Sequence, residues 1–213
     1  KLGVRPLTKY TALSFFGDRF LRALQSRATK KFRGRPLFDP SKESNLQLFA
    51  LVSLWIASKI HETRPIFVGS LKSVADKHIT DQHFTTRDFI DAELEFMKAI
   101  DFNLGSQSIL FLRLEDLLIQ FRNTAVAAKD LKPSVCLDIL DIMYESEDLQ
   151  AAFLSTDNVS PAAILAMAYI LTVPTGWSEF PLVPWIKIVC ECEEKYVKTL
   201  CERILKHVLQ TST

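Results

Sequence analysis

The chain has 213 residues, 48% of them hydrophobic and 24% charged, which is enough apolar material for one large domain or two of ordinary size and excludes a disordered chain. Its formal net charge of +1 provides no global basic field, so no nucleic-acid partner is expected. Four cysteines, Cys136, Cys190, Cys192 and Cys201, show no CxxC spacing and there are only four histidines, so the cysteines read as reduced thiols of a cytosolic or nuclear protein, with no metal site and no cofactor. The longest apolar run, Leu48 to Ala57, is interrupted by Ser53 and falls well short of the roughly 20 residues of a membrane span, so no membrane association is expected. The chain opens at Lys1 without a charged and apolar leader, which argues against secretion. The missing methionine implies that something lies upstream.

Strand signals are nearly absent and apolar residues recur at spacings of three and four, so the pattern predicts an all-α fold. The first helix is expected over Tyr10 to Ala23, with Tyr10, Leu13, Phe16 and Phe20 on one side. Lys1 to Thr8 carries Gly3 and Pro6 and is too short for a helix of its own. A charged connection follows from Gln25 to Lys42, broken by Gly34, Pro36 and Pro40. Ser44 reads as the N-cap of a central helix, with Gln47 completing a capping box. That helix, apolar on nearly every face from Leu46 to Ala57, must be surrounded by others. Short and long helices are expected over Ser70 to Lys77 and from the Thr85 cap, with Asp88 at its third position, to Ile100.

After a break at Asp101 to Gly105, a second series is predicted: Ser108 to Phe121, Lys132 to Tyr144, Ser160 to Val173, Pro184 to Cys190 and Glu193 to Leu209. Ser160-Pro161 reads as a cap followed by proline at the first helical position. In both halves an apolar helix rich in small residues precedes a short helix and a longer one. This rhythm places a boundary near Gly105 and two tandem helical domains, 1–104 and 105–213.

Three segments in order then carry a resemblance. Asp18-Arg19-Phe20-Leu21, Leu46-Gln47-Leu48 through Ala57-Ser58-Lys59, and Ala92-Glu93 through Phe102-Asn103-Leu104 resemble helices two, three and five of a cyclin box. Ile79-Thr80-Asp81 with Phe84-Thr85 is similar to the stretch before helix five. Arg113 to Phe121 and Pro184-Trp185 are most similar to the small plant J-class cyclins. The resemblance runs from about Lys9 to Leu209 and implies two tandem five-helix cyclin folds, with helix one of the first not contained in this chain.

The resemblance also implies site residues. Lys59 and Glu93 would project from neighbouring helices and bond to backbone groups beside the C helix of a cyclin-dependent kinase, since an ammonium donates and a carboxylate accepts several hydrogen bonds. By spacing alone the two read more simply, Lys59 as complementing its own helix dipole and Glu93 as lying on a solvated face. Ile60-His61-Glu62 departs from the commoner aromatic and paired acids, leaving Glu62 as the one acid of that kinase-facing stretch. Asp18 would be structural, paired with an arginine of helix one, or else an exposed charge beside Arg19; Leu48 is a further structural position. Leu46 and Gln47 match part of a docking patch for Arg-x-Leu-type substrate or inhibitor peptides.

Arg27, Lys30, Lys31, Arg33 and Arg35 form a basic block that reads as a solvated loop, a nuclear import signal or a phosphate-facing patch. No nucleophile with a base, phosphate loop or paired acids proposes catalysis. The expected function is a non-catalytic regulatory subunit that binds and activates a cyclin-dependent serine/threonine kinase in cell-cycle control, in nucleus and cytoplasm. The alternatives are a cyclin-fold adaptor for other proteins and a nucleic-acid-binding relative of the general transcription factors.

Overall fold

The computed structural model of the chain describes residues 2–27, 39, 41–105, 109–146, 148–149, 158–174 and 180–211, which are helical throughout apart from turns and connections. The chain divides into two compact units, Lys1–Ile109 and Leu110–Thr213. None of the helices among the described residues is long and apolar enough to cross a membrane.

In the first unit α1, Pro6–Leu13, begins with proline in its first turn, where a missing N–H costs nothing. The helix therefore starts four residues before the expected Tyr10. It continues without a break through a π-helical stretch, Ser14–Leu21, into α2, Arg22–Arg27. The wider π winding explains a miss in the apolar face. Regular periodicity selects Leu13 and Phe16, but the fully buried rings are Tyr10, Phe15 and Phe20, at intervals of five, while Leu13 and Phe16 are only partly buried.

The central helix α3, Glu43–His61, buries side chains around most of its circumference, among them Leu48, Phe49, Val52, Trp55 and Ile56, while Leu46, Gln47, Ala50 and Leu54 on one side are partly buried. It packs on α1, the π-helical stretch, α4 (Val68–His78) and α5 (Thr86–Ala99). Phe20 joins three of these elements: its ring lies 4.5 Å from that of Phe49 and 4.7 Å from that of Phe96, the latter stacked. Ser44 is not the cap of α3. The N-cap is Lys42, because Asp39 organises the turn before the helix: its carboxylate accepts from Ser41 N–H and Oγ, and its carbonyl accepts from Asn45 Nδ2. Gln47 accordingly donates to Glu43 Oε1 at 3.2 Å rather than closing a capping box. At α5 the expected capping box is present, with Thr85 and Asp88 exchanging hydrogen bonds.

The second unit comprises α6 (Leu110–Thr124), a 3₁₀ turn (Val126–Lys129), α7 (Pro133–Glu145), α8 (Val159–Thr172), α9 (Leu182–Val189) and α10 (Glu194–Thr211). Every residue of α8 from Val159 to Ala168 is buried, and α6, α7, α9 and α10 all pack on it. Its alanines let those neighbours approach closely. Asn158, not Ser160, is the N-cap, so Pro161 lies at the third position, still within the turn whose N–H groups have no helical acceptor. Ser160 is fully buried. Phe121, Phe180 and Trp185 form an aromatic cluster in this unit. All four cysteines are reduced, and burial pushes the thiols of Cys136, Cys190 and Cys201 up to about 11, 12 and 11.

Candidate functional site

Lys59 stands in the last turn of α3, and Glu93 about two turns into α5. Packing of the two helices brings them together: Lys59 Nζ donates to Glu93 Oε1 at 2.6 Å and to Oε2 at 2.7 Å. The ammonium also lies 3.6 Å from the centroid of the Trp55 ring, one turn earlier on the same helix. The side chains remain 38% and 23% exposed, so the pair is at the surface and accessible. Beside them on the same helices Ile60, Ile90 and Leu94 are about half exposed. A charged pair within exposed apolar side chains offers a partner both buried area and backbone-directed hydrogen bonds.

Glu62 lies just beyond α3 but faces α1. It accepts from the backbone N–H and Nε of Arg5, at 3.0 and 3.1 Å, and from the Thr8 hydroxyl. It thus serves as the tertiary cap of α1, whose own N-cap, Arg5, has a side chain that makes no capping bond to the helix. Those three bonds, chiefly the one from Thr8, hold its carboxyl below the usual carboxylate range. Beside it His61 Nε2 meets the Thr11 hydroxyl at 3.0 Å, and burial lowers its pKa, with the charge of Arg5 adding to the effect. Glu62 and His61 therefore bind the start of the chain to the end of α3.

Asp18 is buried, which rules out the exposed-charge alternative. Its neighbour Arg19 stacks over Phe15, donates from Nη1 to the Asn103 carbonyl at 2.6 Å, and has its pKa lowered by burial, partly countered by Asp18. That bond clasps the end of α5, where Asp101 and Phe102 have left-handed φ values of 52° and 55°. Leu48 is fully buried, and Leu46 is partly buried against the same core. Gln47, half-buried, points its amide along the helix to Glu43. Of the basic block only Arg27 falls among the described residues. No group of three or more histidine, cysteine or acidic side chains among the described residues is arranged to hold a metal ion.

Sequence reasoning missed Trp55 as part of this site. The signal was present: an aromatic four residues before a lysine on one helix places ring and ammonium on the same face. Arg5 and Thr8 were missed because their partner, Glu62, is more than 50 residues away in the chain.

Residues 1–105 match the family described as Cyclin, N-terminal domain. Over 212 residues the chain is 46% identical to Cyclin-J18 of Arabidopsis thaliana, covering 100% of this chain and 90% of that protein. It belongs to the cyclin family, in the plant J class. A rice protein from Oryza sativa subsp. japonica, Cyclin-J18-like, is 44% identical over 220 residues, covering 99% of this chain and 82% of its own length. Cyclins are regulatory proteins rather than enzymes, and the match covers both units of the chain.

Proposed function

We propose that this cyclin binds and activates a cyclin-dependent serine/threonine kinase through the surface built on Lys59 and Glu93. The observation that carries the proposal is the bidentate pair itself, formed between two helices at an accessible surface and flanked by Ile60, Ile90 and Leu94. The two carboxylate oxygens have lone pairs beyond those used by Lys59, which suits them to accept backbone N–H groups of a partner segment. The exposed apolar neighbours favour an amphipathic helix laid against α3 and α5. Holding the kinase C helix inward in this way favours the active arrangement of the kinase, because the cyclin binds that arrangement better than the inactive one. Cell-cycle control in nucleus and cytoplasm follows as the proposed setting, the second unit as a second cyclin fold, and Leu46 and Gln47 as the edge of a peptide-docking patch.

The test is to capture kinases on the immobilised full chain and assay the bound fraction for phosphorylation of a histone-type substrate. Kinase activity dependent on the wild-type chain and lost with Glu93→Ala is the expected result. A captured fraction free of kinase activity points instead to the adaptor reading.

A further inference from the structure

We propose that Trp55 is a positioning residue for partner binding, which holds the Lys59 ammonium in place so that Glu93 stays free to accept from the partner. This rests on the kinase-binding reading of the Lys59–Glu93 surface. An ammonium has three donors. Both Glu93 oxygens accept from the ammonium, at 2.6 and 2.7 Å, and its nitrogen lies over the indole, 3.6 Å from the ring centroid. The ring cannot turn away, because Trp55 is 8% exposed and belongs to the core of the first unit. Tryptophan presents the strongest cation-binding face of the aromatic side chains.

The consequence is preorganisation. A half-exposed lysine ordinarily loses its rotamer freedom when a partner binds, and that loss weakens the complex. Here the ammonium is fixed on folding, between a rigid ring and a carboxylate. When partner N–H groups approach Glu93 and draw its oxygens outward, the indole retains the ammonium beside them, so the clamp keeps its geometry. An aliphatic side chain of similar size at position 55 would fill the core but would not hold the charge.

The experiment measures affinity for a purified cyclin-dependent kinase catalytic subunit of Arabidopsis thaliana with wild type, Trp55→Leu, Trp55→Phe, Lys59→Ala and the Trp55→Leu/Lys59→Ala double variant. Trp55→Leu is expected to weaken binding about 2- to 5-fold, the range of a cation–π contact, and Trp55→Phe to recover most of that loss. In the Lys59→Ala background the Trp55→Leu effect should vanish, because the ring acts through the ammonium. In the free protein the NMR signals of the Lys59 ε-methylene should lie upfield of those of the other lysines, in the ring current of Trp55. Ordinary Lys59 shifts in the wild type would overturn the proposal even if Trp55→Leu failed to fold. Wild-type binding that Trp55→Leu leaves unchanged, strengthens, or weakens equally without Lys59 overturns it and leaves the kinase reading standing. No binding by the wild type overturns both.

Discussion

Replacing Lys59 or Glu93 by alanine should separate binding from folding, and the geometry sets both magnitudes. Glu93→Ala removes one half-exposed ion pair, worth about 0.5–1 kcal/mol after solvent screening despite its short bidentate geometry. Lys59→Ala removes the same pair and the Trp55 contact, which adds about 0.5–1 kcal/mol. Lys59→Ala should therefore be the more destabilising of the two, and neither should unfold a unit whose total stability is about 5–15 kcal/mol. Thermal melting is expected to shift by about 4–8 °C per kcal/mol. Kinase affinity should fall much further, by about 2–5 kcal/mol, or roughly 30-fold to several thousand-fold, because the surviving charge and the partner's backbone groups are left unpaired in a closed interface. The charge-swapped Lys59→Glu/Glu93→Lys protein restores the internal pair with opposite polarity but gives up the contact of the ammonium with the Trp55 ring, and so should melt below the wild type, remain folded, and still fail to bind. Calorimetric titration beside melting curves reads both quantities. Unchanged affinity in any of the three folded variants, or a collapse in stability on Glu93→Ala, would refute the reasoning.

Further outcomes follow from the same structure. Phe20→Ala should destabilise the first unit by about 3–5 kcal/mol, since the ring is fully buried against Phe49 and Phe96; hydrogen exchange in α3 and α5 should accelerate accordingly, and protection equal to the wild type would contradict the assigned core. Thr85→Ala should cost about 1 kcal/mol by opening the capping box of α5, measured by denaturant unfolding, with the adjacent Thr86→Ala as a near-neutral comparison. Glu62 has a depressed carboxyl pKa, so its stabilising bonds are fully present above its ordinary pKa of 4.5 and are lost as the pH falls through its lower folded-state value. Wild type should consequently lose stability more steeply than Glu62→Gln below about pH 4.5, and parallel acid-unfolding curves would show that the bonds to Arg5 and Thr8 contribute nothing.

The helical class and its core were legible in the sequence because periodicity and capping are local. Apolar residues around the whole of Leu46 to Ala57 required a surrounded helix, the alanines from Ala162 to Ala168 required a second, and the spacing of Thr85 and Asp88 announced a cap that the structure contains. The flanking motifs also singled out Lys59 and Glu93 from the charged residues. What the sequence alone did not determine depends on contacts distant in the chain or on non-standard winding. The π-helical stretch turned Phe15 inward where a 3.6-residue period selects Phe16. The Asp39 turn displaced the start of α3 from Ser44, and Glu62 turned to cap α1 through Arg5 and Thr8. Above all, only the packing of α3 on α5 decides that Lys59 and Glu93, 34 residues apart, share two short hydrogen bonds over the face of Trp55. Local propensity specifies which face a helix buries; the angle and register at which two helices meet arise from the fit of their side chains, and that fit brings the charged groups into one site.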